Sequence, residues 1–285
     1  MRVLVLGVTG MLGNAVFRTF AEHGEHEVWG ATRRTSGAQV PTEQERQRLI
    51  LGVDALDPDA LVHAMACARP DVVINCVGLV KQLAAADDPL VALPINAMLP
   101  HRLARLCAIA GARLIHVSTD CVFTGRTGGY TETDSSDAED LYGKSKFLGE
   151  LNDYPHAITL RTSIIGHELG PPHGLVDWFL SQRGSVKGYA KAIFSGLPTV
   201  ELARVMRDVV LPRPELSGLY HVSAKPIAKL ELLRMIADVY GKAIAIVPDD
   251  VVTIDRSLDS RRFTSLTGYG APEWPRLIAL MHEFH

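Results

Sequence analysis

The chain has 285 residues, a formal net charge of −3 and a pI of about 6.4, with 47% hydrophobic and 21% charged residues. This length is enough for one large α/β domain or two unequal lobes, and the composition is that of an ordinary folded protein. Without a basic surplus, a long apolar run or a leader segment before Arg2, we expect no nucleic-acid partner, no membrane span and no secretion.

The cysteines bear on the cellular compartment, and the histidines bear on whether a metal is bound. Cys67, Cys76, Cys107 and Cys121 lack CxxC spacing and lie in apolar segments, which predicts free thiols in a reducing, cytoplasmic environment. The eleven histidines include no HxH or HExxH pair, so we expect no catalytic metal.

Strand and helix patterns alternate over the first 163 residues. Short apolar runs predict strands at 2–7, 26–32, 48–54, 71–78, 112–119 and 156–163. Helical spacing of apolar residues predicts helices at 11–24, 57–68 and 95–110, with a further helix around Tyr142. The alternation predicts an α/β fold with a Rossmann-type doubly wound parallel sheet.

The regularity ends after residue 163. Glycines and prolines cluster at 166–174, and helices at 175–182, 199–210 and 227–240 alternate with irregular stretches and short strands at 219–223 and 243–247. We predict a first domain over 1–163, to which residues of about 193–215 return, and a smaller mixed α/β substrate lobe over 164–285.

A glycine turn follows the first predicted strand, in the order Gly7-Val-Thr-Gly10-Met-Leu-Gly13. Such a turn lets backbone approach a pyrophosphate and presents the N–H groups of a helix start to an anion. The bare pattern also suits a plain strand–helix turn, but its place between the first strand and the first helix favours a dinucleotide site. The predicted cofactor residues here are Gly7, Thr9, Gly10, Met11, Leu12 and Gly13.

The end of the second strand selects the cofactor. An acidic residue there would bind an adenosine ribose, whereas this chain has Arg33 and Arg34, whose guanidinium groups suit a 2′-phosphate. NADPH is therefore favoured over NADH, with solvated surface arginines as the alternative. Asp54 is placed to meet the adenine, and the remaining predicted cofactor residues are Cys76, Val77, Gly78 and Ser163.

The catalytic pattern is Tyr142-Gly-Lys-Ser-Lys146, which puts a phenol and an ammonium one helical turn apart. A nearby ammonium is expected to lower the pKa of the phenol, which is otherwise about 10. Thr119 closes the preceding strand, where its hydroxyl can share a carbonyl oxygen with Tyr142.

Together the glycine turn, Thr119 and Tyr142-x-x-x-Lys146 resemble the extended short-chain dehydrogenase/reductase superfamily. The block from Ser118 to Gly125, STDCVFTG, is similar to the STDYVFDG block of dTDP-4-dehydrorhamnose reductases and related nucleotide-sugar reductases. Cys121 and Thr124 depart from it, standing where these reductases usually carry tyrosine and aspartate.

The resemblance implies an oxidoreductase that uses NADPH to reduce the C4 ketone of a dTDP- or UDP-linked 4-keto-6-deoxyhexose for polysaccharide synthesis. Tyr142 would protonate the alkoxide, Thr119 would polarise the carbonyl, and Lys146 would bind the nicotinamide ribose. Asn96 matches the asparagine that shapes a proton-relay water site in the superfamily. The change at Cys121 suggests a larger hexose, for example an acetamido sugar.

The second lobe offers weaker candidates for substrate binding. Trp178 lies in an apolar helix and suits either a base or the core, and Lys187 and Arg261 are candidate diphosphate contacts or plain surface charges. Asp120 and Cys121 complete the predicted substrate set beside Thr119.

Two other functions remain open on this fold. A 4-epimerase would retain NAD, which Arg33 and Arg34 disfavour. A non-catalytic NADP-binding subunit, of the kind that accompanies methionine adenosyltransferase, would be free to lose Thr119, Tyr142 or Lys146, and this chain keeps all three. By analogy with the superfamily, helices 95–110 and 141–151 are candidates for pairing two copies into a homodimer.

Overall fold

A seven-stranded sheet, parallel throughout, organises the molecule; the structure is a computed structural model that describes residues 1–33, 47–81, 84–170 and 174–285. The strands of its first part, in chain order, are β1 Arg2–Leu6, β2 Glu27–Thr32, β3 Leu49–Leu51, β4 Val72–Asn75, β5 Arg113–Thr119 and β6 Ala157–Thr162. The spatial order is β11-β6-β5-β4-β1-β2-β3, where β11 is Gly218–His221. The chain therefore changes direction across the sheet between β1 and β4, which is where open α/β sheets form their ligand crevice.

Helices cover both faces of this sheet. They are α1 Met11–Ala21, α2 Pro58–Ala68, α3 Pro89–Ala92, α4 Leu99–Ala110, α5 Leu141–Leu148, α6 Leu175–Ser181, α7 Thr199–Arg204, α8 Lys229–Val239, α9 Arg261–Thr267 and α10 Trp274–Glu283. Two π-helical segments, Leu93–Met98 and Val205–Val210, continue α3 and α7. Over the described parts of the chain, no helix combines the length and the apolar character that a membrane span requires.

The alternation of side chains in β1 shows why both faces are covered. Val3 and Val5 belong to one buried cluster, with Phe17 of α1, whereas Leu4 and Leu6 belong to a second cluster on the opposite face. Strands with two buried faces read as continuous apolar runs, as they do in this sequence. The predicted doubly wound parallel sheet is confirmed.

Small sheets dominate the chain after residue 163. β7 Ile164–Ile165 pairs with β10 Leu197–Pro198, β9 Ala192–Phe194 lies between β12 Ile227–Ala228 and β14 Ile254–Asp255, and β8 Ser185–Tyr189 pairs with β13 Ala245–Asp249. Between these elements, α7 packs against α1, and β11 extends the main sheet beside β6. The main sheet therefore takes its last strand from residues 218–221, beyond the 193–215 segment expected to return to it.

The predicted helices differ from the structure in several places, including the end of the helix expected at 199–210, where Val205–Val210 is π-helical. The helix expected at 95–110 is part of a longer run from Pro89, in which Leu93–Met98 is π-helical. The helix expected at 227–240 begins at Lys229, because Ile227–Ala228 pair with β9 instead. Helices α9 and α10 have no counterpart among the predicted elements.

Candidate active site

The glycine turn after β1 leaves an uncovered helix start. Gly7 has φ +83°, a conformation that side chains rarely adopt, and a Cβ on Gly13 would lie 2.1 Å from the Gly7 oxygen. Gly10 is the exposed N-cap of α1 and places no side chain over the first turn of the helix. The first N–H groups of a helix have no partner within the helix, and the exposed glycine before them leaves room for the pyrophosphate of a dinucleotide.

The end of β4 continues this surface toward α5. A Cβ on Gly7 would lie 3.1 Å from Val77 and 3.3 Å from the backbone of Cys76, so the two chain segments touch. A Cβ on Gly78 would lie 3.5 Å from Asn96 Oδ1 and 3.9 Å from Lys146 Nζ. Backbone with little side-chain cover therefore runs from the glycine turn to Lys146.

Two of the residues predicted to contact the adenosine half of the cofactor, Arg33 and Asp54, are described by the structure. Arg33 is exposed directly after β2, and Arg34 lies outside the described residues. Asp54 is exposed, and its Oδ1 accepts a hydrogen bond from Leu56 N at 2.9 Å. This contact closes a local turn and leaves the second oxygen of Asp54 available to a ligand.

Thr119 and Tyr142 meet at the carboxyl end of β5. Thr119 Oγ1 donates to Asp120 Oδ1 at 3.1 Å and accepts from Cys121 N at 3.1 Å. Burial raises the pKa of Tyr142, and a hydrogen bond with Thr119 opposes that rise. The direction is opposite to the lowering expected from Lys146, because removal from water disfavours the phenolate.

Lys146 is buried, one helical turn along α5 from Tyr142. Its ammonium donates to the Val117 carbonyl at 2.8 Å, and burial lowers its pKa from 10.5 to about 8, against the charge of Glu150. The ammonium is held between β4 and β5, beside the segment that contains Gly78.

Asn96 lies in the π-helical segment Leu93–Met98, a distortion that is frequent at functional sites. Its Oδ1 accepts from Leu79 N at 2.9 Å, and its Nδ2 donates to Ser145 Oγ at 3.2 Å. Asn96 therefore joins the strand end after β4 to the helix that carries Tyr142 and Lys146.

Asp120, Cys121 and Arg256 form a polar region next to Tyr142. Burial raises the pKa of Asp120, with Arg256 opposing it, and burial raises the pKa of the Cys121 thiol to about 12. Arg256 donates through Nε to Phe123 O at 2.7 Å, and its Nη1 lies 3.8 Å from Cys121 Sγ. Because the side chain of Cys121 is small, the guanidinium of Arg256, from the second lobe, can lie next to it.

The other predicted substrate and cofactor residues have these surroundings. Lys187 is exposed and pairs with Asp249 at 2.9 Å, and Arg261 pairs with Asp259 at 2.5 Å. Trp178 is 39% exposed on α6. Ser163 follows β6, and its carbonyl accepts from Leu197 N at 2.9 Å. The described contacts of Trp178, Lys187 and Arg261 do not include Thr119, Tyr142 or Lys146.

Three residues of this region escaped the sequence interpretation. Arg256 carries no sequence signal, because its partner Cys121 is 135 residues away. Lys81 pairs at 2.6 Å with Asp140, the N-cap of α5. Glu150 follows Lys146 at the same four-residue step that separates Tyr142 from Lys146, and this spacing was a usable signal.

Comparison of the sequence with known proteins identifies relatives of this chain. The model of the RmlD substrate binding domain family matches residues 1–258. Methionine adenosyltransferase 2 subunit beta of Rattus norvegicus is 30% identical over 260 residues, covering 84% of this chain and 72% of that protein. A dTDP-4-dehydrorhamnose reductase of Mycobacterium tuberculosis is 39% identical over 152 residues, covering 46% of this chain and 49% of that protein.

A solved structure shares the fold over nearly the full length. The dTDP-4-dehydrorhamnose reductase of Bacillus anthracis, crystallised in complex with NADP, has a TM-score of 0.81 at 21% identity. The alignment covers 99% of this chain and 98% of that one.

Proposed function

The chain belongs to the RmlD substrate binding domain family, and on that premise we propose that it reduces the C4 ketone of a nucleotide-linked 4-keto-6-deoxyhexose with NADPH. This membership bears out the resemblance drawn from the glycine turn, Thr119 and the Tyr142–Lys146 pair. The observation that carries the proposal is the hydrogen bond of Tyr142 with Thr119, with the buried Lys146 one helical turn along α5 from Tyr142. A nucleotide-activated deoxysugar would serve the synthesis of cell-surface polysaccharide.

The proposed chemistry needs a proton donor and a hydrogen-bond donor at one oxygen. Tyr142 keeps its proton at neutral pH, because burial raises its pKa, and so it is the group that protonates the developing alkoxide. Thr119 orients the carbonyl oxygen toward that phenol, and Lys146 supplies positive charge beneath it. Asn96 holds the helix of Tyr142 against the end of β4.

The cofactor residues form one strip along the crevice. The first turn of α1 would hold the pyrophosphate, Cys76–Gly78 would line the ribose, and Arg33 would face a 2′-phosphate. When bound, NADPH supplies the hydride for the ketone carbon. The NADP of the similarly folded Bacillus anthracis reductase accords with this choice.

The sugar is proposed to lie over Asp120 and Cys121, with Trp178, Lys187 and Arg261 as candidate contacts of the nucleotide. The Mycobacterium tuberculosis relative is named for a dTDP sugar, and a UDP-linked acetamido sugar is the second candidate. Cys121 is smaller than the tyrosine usual in these reductases, but a larger hexose would share the space beside it with the Arg256 guanidinium, which lies 3.8 Å from the thiol.

NADPH oxidation, measured with a panel of dTDP- and UDP-linked 4-keto-6-deoxy sugars with and without an acetamido group, tests the proposal. Rapid turnover of one member is the expected result and identifies the nucleotide. Tight NADPH binding with no turnover across the panel would contradict it. Nicotinamide that copurifies with the protein would instead favour the 4-epimerase alternative, which Arg33 disfavours.

A regulatory subunit is the second candidate function, because methionine adenosyltransferase 2 subunit beta is similar over 84% of this chain. Retention of Thr119, Tyr142 and Lys146, with Tyr142 hydrogen-bonded to Thr119, argues for catalysis instead. Co-purification with a methionine adenosyltransferase catalytic subunit, together with silence across the sugar panel, would favour the regulatory function.

A homodimer through α4 and α5 is also proposed. These helices expose Ile109 at 85%, Leu148 at 56% and Phe147 at 41% of their surface. Light scattering on the wild type and on Ile109→Glu would test this pairing, and a monomeric wild type would contradict it.

A further inference from the structure

A buried polar group lies behind the proposed catalytic residues. Glu150 Oε1 accepts from Ser118 Oγ at 2.7 Å and from Arg161 Nε at 2.8 Å, and its Oε2 accepts from Arg161 Nη2 at 2.6 Å. The three side chains are almost fully removed from solvent. The fork of Arg161 thus meets the carboxylate through two parallel hydrogen bonds, which fixes its orientation.

His221 is hydrogen-bonded to Arg161 and so belongs to the same group. Its two hydrogen bonds show which ring nitrogen carries the proton. His221 Nδ1 lies 3.0 Å from the Tyr130 carbonyl, which only accepts, so this nitrogen carries the proton. His221 Nε2 then accepts from Arg161 Nη1 at 2.8 Å. Burial and the charge of Arg161 lower the pKa of His221 to about 3, so the ring stays neutral, and the ion pair of Arg161 is formed with Glu150.

The group connects the two elements that carry the proposed chemistry. Ser118 directly precedes Thr119 in β5, and Glu150 lies one helical turn beyond Lys146, just after α5. Within the described residues, Lys146 Nζ also donates to Val117 O, and Tyr142 shares a hydrogen bond with Thr119, so these two bonds use groups that have a proposed role in the reaction. Lys146 is also proposed to bind the cofactor ribose, so its bond to Val117 need not be kept during the reaction. Ser118 and Glu150 have no proposed contact with cofactor or substrate, so their hydrogen bond can be kept throughout.

We propose that Glu150 is a positioning residue, held by Arg161, that fixes the end of α5 against β5 through Ser118 and so sets Tyr142 and Lys146 against Thr119. The inference rests on the proposed reduction and deepens it at the same site. A second consequence follows from charge, because the anion of Glu150 opposes the burial that lowers the pKa of Lys146.

Removal of the single hydroxyl of Ser118 tests the positioning. Ser118→Ala keeps the Glu150–Arg161 pair and touches no proposed substrate contact, so the protein is expected to fold. We expect kcat to fall on the order of 10-fold, while KM and the NADPH dissociation constant stay within about 2-fold, because misplacement acts on the reacting geometry alone.

Tyr269→Phe is the matched control. It also removes one hydroxyl that donates to a buried carboxylate, that of Glu201 at 2.9 Å, but on elements without a proposed catalytic residue. Its kcat should stay within about 2-fold of the wild type. An equal loss of kcat in both variants, or none in Ser118→Ala, would overturn the positioning role.

A measurement without substrate separates this inference from the proposed activity. The titration midpoint of Lys146, followed by NMR of ¹³Cε-labelled lysine in the apo protein, should fall by about one pH unit in Glu150→Gln. An unchanged midpoint would overturn the role of Glu150 even if the sugar panel is turned over. A lowered midpoint supports it even if the panel is silent, and if Glu150→Gln does not fold, the kinetics of Ser118→Ala decide.

Discussion

At the scale of single residues, burial acts on Tyr142 and Lys146 in opposite directions. It raises the pKa of the phenol and lowers the pKa of the ammonium, because both shifts favour the neutral form. Tyr142 is therefore a protonated donor over the whole neutral range. Lys146 is charged below its pKa of about 8 and neutral above it, so the effects of the two residues can be separated by their pH dependence.

Tyr142→Phe should reduce kcat on the order of 100- to 10,000-fold, because the proton donor is lost while the ring still fills its site. The NADPH dissociation constant should change little, since the phenol hydroxyl is not a main anchor of the cofactor. Steady-state kinetics and fluorescence titration measure the two quantities. Tyr154→Phe, which removes a half-buried hydroxyl 3.4 Å from His101, is the control, and persistent turnover in Tyr142→Phe would reassign the donor.

NADPH affinity should weaken as the pH rises through about 8. Lys146 is protonated below its pKa of about 8 and neutral above it, and the cofactor is an anion that binds the charged form better. Dissociation constants measured from pH 6.5 to 9.5 should therefore increase at the upper end. Lys146→Met should lose this dependence, and a flat profile in the wild type would show that Lys146 does not titrate there.

At the scale of elements, substitution of two glycines of the glycine turn should have different effects, one on stability and one on NADPH binding. A Cβ on Gly13 would overlap the Gly7 oxygen, so Gly13→Ala should lower the free energy of unfolding by about 1–3 kcal/mol. A Cβ on Gly10 would lie at 3.4 Å from the same oxygen, so Gly10→Ala should fold and weaken NADPH instead. Thermal denaturation and NADPH titration of both variants distinguish these outcomes, and identical behaviour would contradict the assignment.

The end of β2 should set the preference between NADPH and NADH. Replacing Arg33 and Arg34 together with alanine should weaken NADPH by on the order of 10-fold or more and leave NADH nearly unchanged, because only NADPH has a 2′-phosphate for the guanidinium groups. Dissociation constants for both cofactors provide the measurement. Equal losses for the two would mean that the arginines act only through general charge.

Local patterns explain why these elements were predictable. The apolar run of β4, the turn at Gly7 and the spacing of Tyr142 and Lys146 are each decided by neighbours in the sequence. The π-helical segment that carries Asn96 was not predicted. Asn96 contacts Leu79 and Ser145, which are 17 and 49 residues away, and local patterns contain no signal for such contacts. The pairing of β12 with β9 likewise overrode a helical pattern at Ile227.

At the scale of the whole molecule, long-range contacts complete the site. Arg256 arrives from the second lobe to reach Cys121, and His221 arrives on the last strand of the main sheet to reach Arg161. Neither contact has a periodic signature, because each joins residues that are far apart in the sequence, by 135 and 60 positions. The sequence therefore predicted the glycine turn and the Tyr142–Lys146 pair but not their supporting residues.

The buried ion pair of Arg161 and Glu150 joins distant parts of the chain, so breaking it should lower the stability of the whole molecule. Arg161→Met should lower the free energy of unfolding by about 3–5 kcal/mol, because it leaves the carboxylate of Glu150 buried without its partner. Urea unfolding followed by tryptophan fluorescence measures the loss. Arg276→Met, which breaks the exposed pair with Glu283 at 3.3 Å, should have a much smaller effect, because water already screens that pair. If both variants unfold at nearly the wild-type midpoint, the buried pair does not hold β5, β6 and β11 together.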